Sequence, residues 1–327
     1  LNILEEAGVE TRVWPGEEDE GPSQDEVIEG ARWADVLLSL LTEPVNRAVM
    51  EVNPSLLGIA QFAVGYDNID VGVATELGIP VSNTPGVLTD TTADLTWALL
   101  LSVSRNIVTG DEYMRGGNYK LWGPNLLLGE DTSPGGDGRN KILGVVGFGR
   151  IGQAVTRRAM GFDMRVLAYD PYAREAIESD GQAEWADLDV LLAKSDFVSI
   201  HTLLSNETRH LISTAEFEKM KPTAYILNAA RGPIIDEAAL VVALNEGQIA
   251  GAGLDVYEQE PEMVQGLAGC KNAVLLPHLG SASRGTRDKM ATMAATNAIA
   301  MLQGDRAPNC VNADVYDSTA YAKRSGH

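Results

Sequence analysis

Residues 141–152 read Lys-Ile-Leu-Gly-Val-Val-Gly-Phe-Gly-Arg-Ile-Gly, an apolar run that breaks into a glycine turn and continues into a predicted helix. Gly147 lets the chain turn tightly after a strand, Gly149 lets the backbone approach a pyrophosphate, and Gly152 lets the helix pack closely on the sheet. The N–H groups and the dipole at the start of that helix favour an anion. A glycine triplet alone is also compatible with an ordinary strand–helix turn.

The residues after the turn decide between these interpretations. Residues 164–169 are predicted to form the next strand, which ends in Asp170, 21 residues after Gly149. A carboxylate at this place accepts hydrogen bonds from the ribose hydroxyls and repels a 2′-phosphate. The strand, the helix and the acid together favour dinucleotide binding over an ordinary turn, and they favour NAD over NADP.

Composition limits the class of protein. The 327 residues suffice for two domains, and the net charge of −21 argues against nucleic acid or an anionic membrane as a partner. No apolar run approaches the roughly 18 residues of a membrane span. The two cysteines, Cys270 and Cys310, match no metal-binding spacing and are typical of inert thiols in a reducing compartment. These features predict a cytoplasmic protein without a metal site.

The balance of charged residue types is unusual. Against 46 acidic residues stand 25 basic ones, of which only 8 are lysine. A strongly acidic surface with little lysine is typical of salt-adapted proteins, which keep a hydrated surface at high ionic strength. An acidic cytoplasmic enzyme without salt adaptation explains the composition equally well.

Strands and helices alternate along the chain, which predicts an α/β fold of two doubly wound, Rossmann-like domains with parallel sheets. The nucleotide domain is predicted at residues 89–283, inserted into a discontinuous substrate domain formed by residues 1–88 and 284–327. Ligands of such sheets bind at the carboxyl ends of the strands. Besides the strand before the glycine turn and that at 164–169, strands are predicted at 34–40, 56–63, 80–82, 197–201, 224–228, 251–256 and 273–277. Helices are predicted at 89–105, 187–194, 213–220 and 237–246.

Three polar residues follow predicted strands of the nucleotide domain. Arg231 offers a planar fork suited to a carboxylate. Glu260 and His278 follow the next two strands, and a carboxylate bonded to an imidazole raises the imidazole pKa and fixes its tautomer, which gives a general acid. Each residue alone could be a satisfied structural group. Together, beside a nicotinamide, they suit hydride transfer to a 2-oxo acid.

Four motifs in order resemble the D-isomer-specific 2-hydroxyacid dehydrogenases, over nearly the whole chain. They are the glycine turn, Asn-Ala-Ala-Arg-Gly-Pro-Ile-Ile-Asp at 228–236, Gly-Leu-Asp-Val-Tyr-Glu-Gln-Glu-Pro at 253–261, and Leu-Pro-His-Leu-Gly-Ser-Ala at 276–282. The resemblance implies that Arg231, Glu260 and His278 are the catalytic residues.

The same resemblance implies how the ligands are bound. In the loop Ala-Val-Gly-Tyr-Asp-Asn-Ile-Asp at 63–70, the backbone amides of Val64 and Gly65 would hold the substrate carboxylate, together with Arg231 and His278. The implied cofactor is NAD, and Asp255 would lie near its carboxamide. The full set of implied cofactor-binding residues is Gly147, Phe148, Gly149, Arg150, Ile151, Gly152, Asp170, Thr202, Thr208, Ala229, Ala230, Arg231, Asp255, His278 and Gly280.

Residues 113–126, which include Trp122, resemble the arm of the hydroxypyruvate/glyoxylate reductase (glycerate dehydrogenase) branch. The resemblance implies a homodimer that exchanges residues 106–140, with Trp122 reaching the partner's substrate pocket; a packing role for Trp122 is equally compatible. The loop at 130–140 looks longer than in the family. The expected activity is NAD(H)-dependent reduction of a small 2-oxo acid, hydroxypyruvate first and glyoxylate second, with His278 as general acid.

Three other interpretations stay open. A 3-phosphoglycerate dehydrogenase without a regulatory domain needs cations near the distal phosphate, and the sequence does not place Arg32, Arg47 or Arg287. A formate dehydrogenase fits less well, because that branch replaces the acid partner of its histidine whereas Glu260 is present here. An NAD-sensing, corepressor-like interaction protein would keep the same three residues, although the reductase-like arm weighs against it.

Overall fold

The computed structural model describes residues 2–16, 20–134 and 140–325. The chain divides into two compact units, one formed by Leu1–Leu88 with Ser283–His327 and the other by Thr89–Ala282. The chain therefore leaves the first unit once and later returns to it, so that the second unit is an insertion in the first.

The elements of the first unit come before and after the insertion. Before it lie α1 (Asn2–Glu6), α2 (Gln24–Trp33), β1 (Val36–Ser39), α3 (Arg47–Glu51), β2 (Gly58–Gln61), α4 (Val71–Glu76) and β3 (Val81–Ser82). The second unit contains α5 (Thr89–Ser104), α6 (Ile107–Arg115), β4 (Ile142–Val146), α7 (Arg150–Ala159), β5 (Arg165–Tyr169), α8 (Arg174–Asp180), β6 (Glu184–Trp185), α9 (Leu188–Lys194), β7 (Phe197–Ile200), α10 (Thr214–Phe217), β8 (Tyr225–Asn228), α11 (Glu237–Asn245), β9 (Gly251–Leu254) and β10 (Ala273–Leu275). The first unit resumes with α12 (Arg284–Leu302) and α13 (Thr319–Ser325). Short 3-10 helices lie at Met160–Phe162, Gly232–Ile234, Leu267–Gly269 and Ala313–Asp317.

The sheet of the second unit has the strand order β10-β9-β8-β7-β4-β5-β6, and every neighbouring pair is parallel. Strands β7 and β9 are buried along their whole length, as expected where helices cover both faces of a parallel sheet. Along the chain, β5 and β6 follow β4 toward one edge of the sheet. The next strand, β7, pairs with the other side of β4. The order therefore reverses at β4, directly before the glycine turn, and such a switch point is where these sheets bind ligands.

The described part of the first unit contains a parallel sheet with the order β1-β2-β3. Its core is aliphatic and includes Ile59 of β2 and Val81 of β3. The C-terminal helix α13 is fastened to this unit by Arg324, whose guanidinium donates to the carbonyls of Leu77, Asn53, Pro54 and Leu56. One guanidinium thus supplies donors to four backbone carbonyls of this unit, of which that of Asn53 also accepts the N–H of Leu56.

The predicted α/β fold with parallel sheets is confirmed, although most predicted elements are shorter than expected. The helix predicted at 213–220 ends at Phe217, because the N–H groups of Lys219 and Met220 bond to the carbonyls three residues earlier and form tighter turns instead. The strand predicted at 251–256 ends at Leu254, since the chain turns there toward the site described below. Within the predicted arm at 106–140, residues Ile107–Arg115 form α6, and residues 135–139 lie outside the described part.

Two classes of feature are absent from the described ranges. No helix there is long and apolar enough to cross a membrane. In the same ranges, no group of three or more His, Cys, Asp and Glu side chains could hold a metal ion.

The excess of acidic residues leads to a prediction about salt. With a net charge of −21, self-repulsion destabilises the folded chain at low ionic strength, and added salt screens it. If the acidic, lysine-poor surface is a salt adaptation, the melting temperature is expected to rise by several degrees between about 10 mM and 1 M NaCl, where the screening length falls from about 30 to 3 Å. A flat or falling melting temperature would favour an acidic enzyme without salt adaptation.

Candidate active site

The glycine turn after β4 has the backbone that its sequence predicts. Gly147 has a φ of +94°, and a Cβ there would lie 2.6 Å from the carbonyl carbon of His201. A Cβ on Gly152 would lie 2.1 Å from the carbonyl oxygen of Gly147, so only glycine lets α7 start this close to the strand. In contrast, a Cβ on Gly149 would have nothing within 4 Å. The turn therefore packs tightly on one side and leaves open space on the other.

The open side is suited to a pyrophosphate. Gly149 is the N-cap of α7, and no side chain caps the helix. The N–H groups of the first turn of a helix lack partners within the helix and carry partial positive charge. The side chain of Phe148 is buried in the core, whereas Arg150 and Ile151 begin α7. The residues present fit the diphosphate of a dinucleotide at this helix start.

Asp170 lies directly after β5 and beside the glycine turn. One carboxylate oxygen accepts the N–H of Phe148 at 3.0 Å, and the other accepts the N–H of Tyr172 at 2.9 Å. Arg174 is turned to other partners: its Nε donates to Glu178 at 2.9 Å, and its guanidinium lies 4.1 Å from the centre of the Trp185 ring. The fixed carboxylate thus has no cationic partner among its described contacts and can accept hydroxyl donors.

The two threonines expected to contact the cofactor lie in the segment after β7. The backbone of Thr202 packs against the glycine turn, since a Cβ on Gly147 would lie 2.6 Å from its nitrogen. Thr208 has a local function, because its hydroxyl accepts the N–H of Ser205 at 2.7 Å and donates to the carbonyl of Leu203 at 2.6 Å. Its contact with a cofactor stays a prediction.

Arg231 is held by a short turn after β8. The side chain of Asn228 accepts the N–H of Ala230 at 3.0 Å and donates to the carbonyl of Arg231 at 2.9 Å, so one amide fixes the turn 228–231 that contains Ala229. Nη1 of Arg231 donates to the carbonyl of Ala230 at 2.8 Å. The sequence predicted Arg231 as a site residue but not Asn228. The only indication for Asn228 was that asparagine favours turns and stands here at the end of a strand.

Glu260 and His278 are hydrogen-bonded, as their order in the sequence predicted. Oε2 of Glu260 lies 2.8 Å from Nδ1 of His278, and Oε1 accepts the N–H of Tyr257 at 3.0 Å. Burial raises the pKa of Glu260, but the hydrogen bond and charge of His278, the N–H of Tyr257 and the charge of Arg231 outweigh it, and the net pKa is lowered. Glu260 is therefore a carboxylate at neutral pH, and it leaves Nε2 of the imidazole as the nitrogen available to a substrate.

Asp255 fixes the loop that contains His278 through hydrogen bonds. Its carbonyl accepts the N–H of His278 at 2.9 Å, and its carboxylate accepts the N–H groups of Leu279 at 2.6 Å and Gly280 at 2.8 Å. His278 has a φ of +54°, a left-handed conformation that residues other than glycine rarely adopt unless neighbours impose it. Burial raises the pKa of Asp255, and these N–H groups and the charge of His278 only partly offset that effect. The expected contact with the carboxamide stays a prediction.

The loop containing Val64 and Gly65 belongs to the first unit and is fastened by side-chain amides. Asn83 donates to the carbonyl of Val64 at 2.7 Å, and Gln61 donates to the carbonyl of Gly65 at 3.2 Å. The buried amide of Gln61 is fixed in turn by the hydroxyl of Ser39 at 2.6 Å. In a trans peptide the N–H points away from the C=O, so holding both carbonyls also fixes the direction of the N–H groups of Gly65 and Tyr66. Sequence reasoning missed Gln61 and Asn83.

Trp122 lies in the part of the arm that follows α6, and 71% of the residue's surface is exposed. None of the residues of α6 is buried. Exposed large apolar side chains continue along the arm; they are Ile107, Val108, Met114, Tyr119, Leu121, Leu127 and Leu128. An apolar surface of this kind is typical of a contact with another protein chain.

Comparison with known proteins agrees with this geometry. The family model described as "D-isomer specific 2-hydroxyacid dehydrogenase, NAD binding domain" matches residues 97–280. A glyoxylate reductase from Korarchaeum cryptofilum is 49% identical over 296 residues, which are 90% of this chain and 87% of that protein. The chain belongs to this family. The predicted membership is confirmed, and the chain is a D-2-hydroxyacid dehydrogenase with an NAD-binding domain.

Solved structures of this family have the same fold. A protein from Thermus thermophilus has a TM-score of 0.85 and 41% identity, and the match covers 95% of each chain. An NADPH-dependent glyoxylate/hydroxypyruvate reductase from Sinorhizobium meliloti, solved with NADP and malonate, has a TM-score of 0.75 and 30% identity over 87% of this chain and 86% of that one. The Arg–Glu–His set of this dehydrogenase thus lies on a fold that is known to bind a nicotinamide dinucleotide.

Proposed function

We propose that this D-2-hydroxyacid dehydrogenase reduces glyoxylate and hydroxypyruvate with NADH. The observation that carries the proposal is the bond of 2.8 Å between Glu260 and Nδ1 of His278, which leaves Nε2 to serve a substrate. Arg231 follows a neighbouring strand and supplies a cation for a carboxylate. Relatives named glyoxylate reductases are 45–49% identical to the chain, which favours the smallest 2-oxo acids.

The chemistry of these side chains gives a mechanism for the reduction. Arg231 binds the substrate carboxylate through paired, charge-assisted hydrogen bonds and polarises the adjacent carbonyl. NADH, when bound, supplies the hydride to the carbonyl carbon. His278 donates the Nε2 proton to the carbonyl oxygen, and the negative charge of Glu260 stabilises the imidazolium before the transfer. The backbone amides of Val64 and Gly65, in a loop fixed by Gln61 and Asn83, stay predicted substrate contacts.

A panel of 2-oxo acids tests this assignment. We expect NADH oxidation with the highest kcat/KM on glyoxylate or hydroxypyruvate, and low values on pyruvate derivatives with long side chains. Phosphohydroxypyruvate is the informative competitor, because the alternative of a 3-phosphoglycerate dehydrogenase needs a free cation for its phosphate. Arg47 is paired with Glu51 and Glu76, and Arg32 with Glu29, which does not favour that alternative. The highest efficiency on phosphohydroxypyruvate would overturn the proposal.

The contacts of Asp170 predict a preference for NADH over NADPH. The carboxylate accepts ribose hydroxyls but repels a 2′-phosphate, and Arg174 is held by Glu178 and Trp185 rather than facing it. We expect kcat/KM for NADH to exceed that for NADPH by about a hundredfold, equivalent to about 2.7 kcal/mol. Asp170→Ala should lower this ratio to below about tenfold, mainly through KM.

The control is Asp180→Ala, which removes an exposed acid at the end of α8. It should leave the cofactor ratio unchanged. Equal efficiency of the wild-type protein with both cofactors would contradict the role of Asp170.

We propose that the arm forms a homodimer and that Trp122 closes the substrate pocket of the partner. The exposed apolar residues of α6 and the arm support such a contact, since they lack a covering element within the described chain. A wall beside the carbonyl carbon admits the hydrogen of glyoxylate or the hydroxymethyl group of hydroxypyruvate as its substituent, and a misfitting methylene costs about 1–3 kcal/mol.

A truncation of the tryptophan tests this proposal. Trp122→Ala is expected to raise kcat/KM for 2-oxohexanoate, whose side chain is longer than a hydroxymethyl group, relative to glyoxylate by about tenfold or more, because the wall no longer excludes the extra methylenes. Tyr119→Ala, which removes an exposed aromatic residue nearby, serves as the control and should leave the order of the panel unchanged. The same order in Trp122→Ala would show that Trp122 only packs in the dimer, and a monomer in light scattering would exclude both roles.

A further inference from the structure

Glu237 is a buried carboxylate for which the proposed mechanism has no use. It is the first residue of α11, and only 3% of its surface is exposed. Buried carboxylates are rare unless they are paired or accept several hydrogen bonds. Its sequence context, directly after the N-cap Asp236, would be explained by the preference for acids in the first turn of a helix, which requires no burial.

The carboxylate of Glu237 binds two backbone N–H groups of another segment. One oxygen accepts the N–H of Glu258 at 2.6 Å, and the other accepts the N–H of Val264 at 3.2 Å. These two residues lie on either side of Glu260 in the chain. Glu237 therefore holds both flanks of the short segment that carries the carboxylate bound to His278.

A second contact runs in the opposite direction between the same two elements. The carboxylate of Glu258 accepts the backbone N–H of Glu237 at 2.9 Å, and its other oxygen lies 2.8 Å from Nε2 of His210. The N–H of His210 donates in turn to the carbonyl of Pro233, just beyond Arg231. The segment of Glu260 is thus joined by reciprocal hydrogen bonds to the start of α11.

The electrostatic surroundings make this position costly for a carboxylate. Burial raises the pKa of Glu237, and the charges of Glu258 and Glu260 raise it further, while the two N–H groups lower it only in part. An apolar side chain could fill the space without bringing a third acid beside Glu258 and Glu260. What an apolar side chain could not do is bind the two N–H groups and fix the segment between them.

We propose that Glu237 is a positioning residue for the reduction, because it fixes the segment 258–264 and thereby keeps Glu260 bonded to His278. The proposal rests on the proposed roles of Glu260 and His278. It assigns to Glu237 an effect on proton donation and none on the binding of the dinucleotide, since the glycine turn follows a different strand of the sheet.

A double-mutant cycle of Glu237→Gln and Glu260→Gln tests the proposal. Glutamine keeps the volume and one acceptor oxygen but loses the second acceptor and the charge. We expect Glu237→Gln to lower kcat for glyoxylate reduction by about tenfold and to leave the Kd for NADH, measured by fluorescence, within about twofold. In the Glu260→Gln background, Glu237→Gln should lower kcat by less than about twofold. The effects of two substitutions on kcat are not additive when one residue acts through the other.

The pH profile gives a readout that a structural role alone would not move. Oε2 of Glu260 contacts Nδ1 of His278, the carboxylate of Asp255 binds the N–H groups of the two residues after His278, and the charge of Arg231 acts on Glu260. Because the carboxylate of Glu260 lies 2.8 Å from Nδ1 of His278, Glu260→Gln should change the pH dependence of kcat. Glu237→Gln should change it in the same direction by a smaller amount, because Glu260 is then held less firmly.

The controls separate failure of this proposal from failure of the proposed function. Glu246→Gln makes the same change at the far end of α11 and should leave kcat and the pH profile unchanged. If Glu237→Gln folds poorly, Glu237→Asp keeps the charge and should give a smaller loss with the same pH direction. Additive effects in the cycle, or an unchanged kcat with a lowered melting temperature, would overturn the positioning role. An unchanged kcat in Glu260→Gln would instead overturn the proposed site.

Discussion

Replacing His278 by glutamine is expected to lower kcat for reduction of glyoxylate by about a hundredfold or more, the usual scale of lost general-acid catalysis. Glutamine can still bond to Glu260, but it carries no transferable proton. The loss should appear in kcat more than in the KM for NADH, because the imidazole acts on the developing oxyanion and not on the nucleotide. Steady-state kinetics at neutral pH, with NADH absorbance as the signal, measure both.

His210→Gln is the matched control for this substitution. His210 also lies 2.8 Å from a carboxylate, that of Glu258, so the change removes an imidazole from a similar pair elsewhere in the same unit. We expect a kcat within about threefold of the wild-type value, since both reciprocal bonds between Glu258 and Glu237 remain and a glutamine at 210 can still donate to Glu258. An equal loss in both variants, or none in His278→Gln, would be incompatible with His278 as the general acid.

The second large effect is expected for Arg231. Two charge-assisted hydrogen bonds to the substrate carboxylate are each worth about 1.5–3 kcal/mol, so Arg231→Leu should lower kcat/KM for glyoxylate by at least about a hundredfold. We expect kcat to fall and KM to rise, because the guanidinium binds the carboxylate and also polarises the carbonyl. Arg231→Lys keeps the charge without the planar fork and should recover only part of the loss.

The control for the arginine is Arg165→Leu. Arg165 begins β5 and pairs with Glu184, so it lies at the edge of the sheet opposite the strand ends that carry the site. Its replacement should leave kcat/KM unchanged. If Arg231→Leu kept the wild-type efficiency, the carboxylate would have to be bound elsewhere, and the proposed mechanism would be wrong.

The fold and the Glu260–His278 pair could be predicted from the sequence because both depend on local patterns. Alternating apolar segments predict a parallel sheet, and in such a sheet all residues that follow strands lie at one edge. Glu260 and His278 follow neighbouring strands, β9 and β10, and their bond is a consequence of that topology. The glycines at 147 and 152 were predictable for a similar reason, since each is required by a close approach within a short segment.

The supporting contacts could not be predicted, because they join side chains to backbone groups of distant segments. The carboxylate of Asp255 bonds to N–H groups 24 and 25 residues further along, and Glu237 bonds to groups 21 and 27 residues away. Backbone N–H groups have no signature in the sequence, so the sequence does not show which of them an acidic side chain will bind. From the sequence alone, Glu237 is only an acid at the start of a helix and Asp255 only an acid at the end of a strand. Only the packed loops between β8, β9 and β10 reveal what these acids hold.

The central claim is that Arg231 and His278 orient a 2-oxo acid for hydride transfer. The product of hydroxypyruvate reduction tests it most directly, because glycerate is chiral and its configuration depends on which face of the carbonyl accepts the hydride. The purified protein would be incubated with hydroxypyruvate and NADH, and the glycerate formed would be separated on a chiral column. A site in which Arg231 fixes the carboxylate and His278 faces the carbonyl oxygen presents one face of the carbonyl to the hydride, so the product should be D-glycerate alone. L-glycerate, a racemic mixture, or NADH consumption without glycerate would contradict the proposed site.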